Sequence, residues 1–442
     1  MNFLIHTFGC KVNTYDSGLL HHRLSQLQGS NHQMVHILNT CAVTEEATKE
    51  AIRLARKIKA QNPLALVVAT GCAAQVDNIL LEQSPAIDLI VANSHKGQLS
   101  FIIDQYFKNL GQIKKTYRSN IFKKDDLEAG GGIEPNHRRV FLKIQDGCNA
   151  FCSFCIIPYA RGLSRSVSVS NLVKRVQELV DSGIQEVVLT GVHIGDYRDQ
   201  NATLDNLVEN ILVKTTVPRL RLTSLEPIEI SDRLLELYTH PRMCRHFHLS
   251  IQSASTSVLQ AMKRRYTQKH VVEILNRIQQ KLPDAFVGMD VIAGFPSETD
   301  ADFLNTYQVL AEHSWTKLHV FPYSERKGTR AAQMEQMPVA VRKSRARRLR
   351  ELSNIRFEQV AEAQKKQTKW VLFLHSADQA FYRGMSRDYW TVLVPKSDTQ
   401  GVSNIETNTE YPVQVIAYQP RREQKLEGYL IGQLLHQPVL GK

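Results

Sequence analysis

The sequence predicts a multidomain α/β protein: a small parallel α/β unit, then an incomplete (β/α)6 TIM-like barrel, then a small antiparallel β-barrel. Three observations predict it. Strand-like and helix-like segments alternate through the first hundred residues, and parallel strands need such crossovers. From residue 139 six further strand candidates recur with helical stretches between them. Beyond residue 368 the pattern turns to short strands alone. A chain of 442 residues has room for three cores, and the expected divisions are 1–115, a linker over 116–136, then 137–366 and 367–436.

In the first unit, strands are expected at Phe3–Phe8, Met34–Leu38, Ala65–Ala69 and Ile87–Val91, with the clearest helix from Glu45 to Ala60. Cys10, Cys41 and Cys72 fall two or three residues after the first, second and third of these strands. Open α/β sheets bind ligands at the carboxyl ends of their strands, so three thiols converge on one edge. A metal site there and three separately buried small hydrophobes are both open readings. Lys114-Lys115 and Lys123-Lys124 then lead to Ala129-Gly130-Gly131-Gly132-Ile133-Glu134-Pro135, the punctuation of a linker.

The barrel strands are expected at Val140–Ile144, Glu186–Thr190, Leu220–Thr223, Phe247–Ser250, Phe286–Ile292 and Lys317–Phe321, with helices such as Asn171–Asp181 and Val271–Lys281. Directly after the first strand stands Cys148-Asn149-Ala150-Phe151-Cys152-Ser153-Phe154-Cys155. Three thiolates on so short a loop can ligate three irons of a [4Fe–4S] cube. No fourth cysteine is local, so one iron is left open for a small ligand. A zinc site wants four ligands, commonly as C-x2-C pairs, and His193 is only a distant candidate for the fourth; the cluster fits better. Other strand ends carry Gly191-Val192-His193, Ser224-Leu225-Glu226, Ser250-Ile251-Gln252-Ser253, Asp290 and His319. Singly these are ordinary loop chemistry; jointly they lie at the end of a barrel where active sites form.

The third unit is preceded by Arg342-Lys343-Ser344-Arg345-Ala346-Arg347-Arg348-Leu349-Arg350, the start of a long basic helix. A solvated face and a phosphate-contacting arm are equally open readings. Strands follow at Trp370–Leu374, Tyr389–Val394, Tyr411–Ile416 and Gly428–Ile431, with an insertion-like stretch at Lys396–Thr409. Barrels of this size often bind RNA, and a net charge of +12 favours a polyanionic partner. No apolar run approaches the roughly 20 residues of a membrane span, so no membrane partner is expected. The opening residues lack a basic-then-apolar signal pattern. Seven cysteines without disulfide-type spacing fit a reducing, cytoplasmic setting.

The loop Cys148–Cys155, with Phe154 before its last cysteine, resembles the signature of the radical S-adenosylmethionine (SAM) enzymes. With Thr7-Phe8-Gly9-Cys10-Lys11-Val12-Asn13, Asn39-Thr40-Cys41-Ala42-Val43-Thr44 and Thr70-Gly71-Cys72-Ala73-Ala74-Gln75, the chain resembles the radical SAM methylthiotransferases over nearly its whole length. The resemblance implies two [4Fe–4S] clusters, one on Cys148, Cys152 and Cys155, where SAM is cleaved to a 5′-deoxyadenosyl radical. The other, on Cys10, Cys41 and Cys72, holds or delivers sulfur. It implies SAM contacts from Phe154, Gly191, Glu226, Gln252, Ser253 and Asp290, and a catalytic part for Arg161, whose planar fork suits a carboxylate or phosphate. The final barrel is similar to a TRAM domain, which contacts tRNA, and Arg345, Arg347 and Arg348 are the candidate RNA-binding residues. An electron donor such as flavodoxin or ferredoxin is implied. Lys11-Val12 and Ile156–Gly162 resemble the branch that acts on threonylcarbamoyladenosine at position 37 of ANN-decoding tRNA. Other branches act on isopentenyladenosine or on a ribosomal-protein aspartate. Phe8 and Asp16 depart mildly from that branch's more usual leucine and glutamate.

Overall fold

The structure is a computed structural model and describes residues 2–26, 33–109, 112–124, 127, 139–374, 378, 380–397, 405–420 and 428–435. The glycine-rich stretch Ala129–Pro135 and part of Lys396–Thr409 lie outside the described residues. The first sheet is wholly parallel, in the order β1 (Asn2–Thr7), β2 (Met34–Thr40), β3 (Leu66–Gly71), β4 (Leu89–Ala92), β5 (Thr116–Tyr117). β3 is buried along its whole length, as expected of a central strand with helices on both faces. Helices α1 (Lys11–Ser25) and α2 (Glu45–Gln61) flank the sheet. In α2 the Thr44 hydroxyl caps the first turn by accepting from the Ala47 N–H. Its Ala51, Ile52, Ala55 and Ile58 form the buried stripe.

The second sheet system contains the six expected parallel strands: β6 (Arg139–Asp146), β8 (Glu186–Gly191), β9 (Arg219–Leu222), β10 (His246–Gln252), β11 (Phe286–Ala293) and β12 (Lys317–Pro322). A short antiparallel strand, β7 (Arg165–Ser166), pairs with the end of β6 and was not expected. Two parallel bridges, Leu220 to Met243 and Leu225 to Leu249, join the β6–β8–β9 half to the β10–β11–β12 half. Leu142, Ile144, Val187, Leu189, Leu220, Leu249 and Met289 fill one continuous core with the surrounding helices. Helix α1 of the first unit packs directly on β6 and β8, so the two units share an interface at the cluster loop.

The third unit is a closed barrel in the order β13 (Thr368–Leu374), β14 (Phe381–Ser386), β15 (Thr391–Pro395), β17 (Tyr429–Leu434), β16 (Glu410–Gln419). All its pairings are antiparallel except β15 with β17. β14 was not expected, and the strand expected from Tyr389 begins at Thr391. Tyr389 has a φ of 72° and belongs to the turn before it. Its ring stacks on His246 of β10 at 3.9 Å between centroids. Arg139, Arg219 and Arg221 converge on Glu186 at the start of β8. Arg219 continues to Glu410 at 2.9 Å and to the Met385 carbonyl at 3.1 Å. The third unit thereby closes the amino-terminal floor of the second.

Candidate active site

Gly147, at φ 77°, turns β6 into the cysteine loop so tightly that a Cβ there would sit 1.9 Å from the Leu163 carbonyl oxygen. Cys148, Cys152 and Cys155 then share one turn, with the Cys155 N–H donating to the Cys152 carbonyl at 3.0 Å. Burial, with Cys152 and Cys148 beside it, pushes the Cys155 thiol up to about 12. In the first unit, Cys10 opens α1, while Cys41 and Cys72 directly follow β2 and β3. Gly9 has φ 90°, and a Cβ there would lie 2.7 Å from the Cys41 sulfur. Burial, helped by Cys72, pushes the Cys41 thiol up to about 11.

Both triads fit a polynuclear group better than a single ion. Four sulfurs around one zinc lie only about 3.8 Å apart, given Zn–S bonds of about 2.3 Å. Among the described residues the only sets of three or more His, Cys, Asp or Glu ligand atoms mutually within 4.8 Å are His248/Asp290/His319 and His193/Glu226/Glu229. Each cysteine set is therefore wider than a zinc tetrahedron, yet near enough for its thiols to oppose one another's ionisation. A cationic cluster at the centre would relieve that opposition.

Beside the loop Cys148–Cys155 lies a cavity of about 350 Å³ whose walls include Cys152, His193, Glu226, Glu229 and Arg264. His193 Nδ1 stands 3.6 Å from the Cys148 sulfur, and its Nε2 2.5 Å from Glu229. Burial disfavours its cation, but Cys148 and Glu229 outweigh that and push the imidazole up to about 11. Arg264 pairs with Glu226 and lies over the Phe154 ring at 5.6 Å. Phe154 meets Phe295 edge-on. Gly191 lies against Gln145 of the neighbouring strand. Gln252 ends β10 in a left-handed conformation, φ 59°. Asp290 accepts from His248 Nε2 at 2.9 Å and from the Ser250 hydroxyl at 3.4 Å. Lys11, at the first position of α1, is held below its ordinary value by burial and by Arg139 and Arg221, against Tyr389 and Asp290.

Three expected roles are corrected. Ser253 is fully buried with its hydroxyl against Thr306 at 3.2 Å, turned into packing and away from the cavity. Arg345 is buried by Glu298 and Asp300 and cannot meet a phosphate, whereas Arg347 is exposed and Arg348 covers Phe303 and Tyr307. Arg161 is buried and spends its fork on this chain: Asp146 at 3.0 Å, Asn13 at 2.6 Å, Asp16 at 3.1 Å and the Cys72 sulfur at 3.3 Å. It is a positioning residue. Lys143 and Lys96 complete that network on Asp16 at 2.7 and 3.0 Å. Glu229, Arg264 and His248 were not foreseen; His193 was noted as a distant zinc ligand and as part of the strand-end segment Gly191-Val192-His193. Each reaches the site by barrel closure, and no local spacing marks them.

A three-thiolate loop at the carboxyl end of the first strand of a parallel barrel defines an iron–sulfur enzyme of the radical SAM class. The sequence profile described as the Radical SAM superfamily matches residues 142–310, and one described as Uncharacterized protein family UPF0004 matches residues 2–92. Threonylcarbamoyladenosine tRNA methylthiotransferase MtaB of Bacillus subtilis is 34% identical over 88% of this chain and 89% of its own. The Aquifex aeolicus protein of that name is 35% identical, over 83% and 91%. The tRNA-2-methylthio-N(6)-dimethylallyladenosine synthase of Moorella thermoacetica is 32% identical, over 80% and 82%. Among solved structures, the radical SAM methyltransferase TsrM of Kitasatospora setae aligns with TM-score 0.51 over 70% of this chain and 66% of that one. At 14% identity this shows the fold alone. The chain belongs to the radical SAM methylthiotransferase family, with the [4Fe–4S] cluster and SAM dependence of its superfamily. No helix among the described residues is long and apolar enough to cross a membrane.

Proposed function

We propose that this chain places a methylthio group on C2 of threonylcarbamoyladenosine at position 37 of tRNA, using two [4Fe–4S] clusters and SAM. The observation that carries the two-cluster reading is the junction between the cysteine sets. The helix Cys72–Val76 packs on the helix Ile157–Arg161 that follows Cys155. Arg161 there touches the Cys72 sulfur while gripping Asp146, two residues before Cys148. When bound, the clusters and SAM supply the radical and the sulfur that acid–base chemistry could not deliver to an unactivated C–H carbon. The chain's own residues place and charge-balance those groups. Arg161 stabilises thiolate charge at Cys72 through a charge-assisted hydrogen bond. Glu226 offers its carboxylate to the SAM ammonium or ribose, and Arg264 offers the matching cation. Phe154 supplies an apolar face for the adenine.

The same reading takes exposed Arg347 and the closed C-terminal barrel as contacts for tRNA phosphates, and a flavodoxin or ferredoxin of the cytoplasm as the reductant. Nucleoside mass spectrometry of bulk tRNA with and without the gene tests it. The expected result is loss of 2-methylthio-threonylcarbamoyladenosine with accumulation of its unthiolated precursor. Loss of the isopentenyl derivative alone would overturn the substrate and keep the chemistry.

A further inference from the structure

The interior of a parallel barrel is ordinarily packed with branched aliphatic side chains. Here Leu249, Ile251, Met289, Val291, Leu318 and Val320 of β10, β11 and β12 belong instead to the core shared with the helices. The alternate positions His248, Asp290 and His319 therefore stand on the inner face, and all three are half-buried. Asp290 and His319 are register partners. His248 is paired with Gly288, which puts no side chain between the two histidines. A Cβ at Gly288 would lie 3.7 Å from His319 Nε2. The ring centroids of His248 and His319 are 5.4 Å apart, with the planes inclined at 69°.

One donor atom from each of these three residues lies within 4.8 Å of the others. His248 Nε2 is 2.9 Å from the Asp290 carboxylate; adjacent corners of an octahedron with bonds of about 2.1 Å are about 3.0 Å apart. Nδ1 of the same ring stands 2.9 Å from the Ser224 hydroxyl, the kind of outer contact that orients a ligating imidazole. In the tautomer that donates Nδ1–H to Ser224, Nε2 presents a lone pair to a carboxylate oxygen, and a cation between them satisfies both. The second oxygen of Asp290 is 3.4 Å from the Ser250 hydroxyl. The other three-donor set, His193, Glu226 and Glu229, is already committed to Cys148 and Arg264.

We propose that His248, Asp290 and His319 form a binding site for one divalent first-row transition-metal ion inside the barrel, using none of the six cluster cysteines. Two imidazoles and one carboxylate suit iron(II), zinc or cobalt(II), and they leave further positions for water or for oxygen donors of a bound molecule. The site is independent of which nucleoside the enzyme modifies.

The test uses the full chain with its clusters reconstituted, dialysed without oxygen against cobalt(II), an ion the clusters do not contain. Cobalt, iron and sulfide are measured per chain, and X-ray absorption at the cobalt edge reads the neighbours of the bound ion. The wild type should hold about one cobalt per chain, with nitrogen and oxygen neighbours at about 2.1 Å and the scattering of imidazole rings. Asp290→Asn and His319→Gln should each bind cobalt at least about tenfold more weakly with iron and sulfide unchanged, and Ser224→Ala about 10–100-fold more weakly. A wild type that binds no cobalt, or sulfur neighbours around the cobalt, would overturn the proposal. So would cobalt that His319→Gln and Asp290→Asn retain but His193→Gln loses.

Discussion

Asp16→Asn should loosen the first unit from the barrel. The buried group at their junction holds Lys96, Lys143 and Arg161 against Asp16 and Asp146. Neutralising Asp16 leaves three largely buried cations facing one carboxylate. Removing one member of a buried ion pair costs about 3–5 kcal/mol, a large share of the roughly 5–15 kcal/mol that holds a domain folded. At about 2–4 °C per kcal/mol for a domain of this size, the melting point should fall by about 10 °C. Burial opposes ionisation of Asp16, but Lys143, Lys96 and Arg161 prevail and hold its carboxyl well below the ordinary range. A carboxyl depressed in this way contributes stability that is complete above its unfolded value near pH 4 and is lost as pH falls through its folded value. The gap between wild type and Asp16→Asn should therefore be constant from pH 7 to about pH 5 and narrow below about pH 4. Calorimetric melts of both proteins at pH 7, 5 and 3.5 measure it. A loss under about 1 kcal/mol at pH 7, or a gap that widens on acidification, would refute the reasoning.

Gly147→Ala should lose about half of the bound iron, since a Cβ cannot fit 1.9 Å from the Leu163 oxygen; iron and sulfide assays of the purified protein show it. Cys72→Ala should also lose about half its iron and all thiomethylation, while SAM is still cleaved to 5′-deoxyadenosine; thiomethylation that persists removes the second cluster from the scheme. Arg345→Ala should destabilise by about 3 kcal/mol because Glu298 stays buried, seen as a lowered melting point. Arg347→Ala should leave melting unchanged and lower the salt dependence of tRNA affinity by about one unit of slope.

The parts of the site that were legible in the sequence are those whose chemistry is local. Cys148, Cys152 and Cys155 sit on one turn, so their spacing alone displays three ligands. Cys10, Cys41 and Cys72 were legible because a parallel sheet brings successive strand ends to one edge. Arg161 was visible as a residue but not as a contact, because its carboxylates Asp16 and Asp146 stand on different units. Arg345 and Arg347 look alike in a basic run, and only the helix phase against Glu298 separates a buried ion pair from a solvent-facing charge. Tyr389 has the β-propensity of a strand residue, yet stacking on His246 of another unit outweighs it. The unexpected strand β14, Phe381–Ser386, carries Gly384 where Val371 of β13 crowds it, and glycine weakens the strand pattern that would have shown it.

The C-terminal barrel also sets a length. Arg219 and Arg387 meet on Glu410, and Arg387 reaches the Pro241 carbonyl across the junction. With Tyr389 seated on His246, these contacts tie the small barrel to the floor beneath the cysteine loop. A ligand of the small barrel would then be docked at an offset from the reacting centre that these contacts define, as an anvil is fixed to its frame. On the tRNA reading proposed above, selection among polynucleotides becomes partly a matter of measurement: a strand is presented correctly only if its own folded geometry spans that offset.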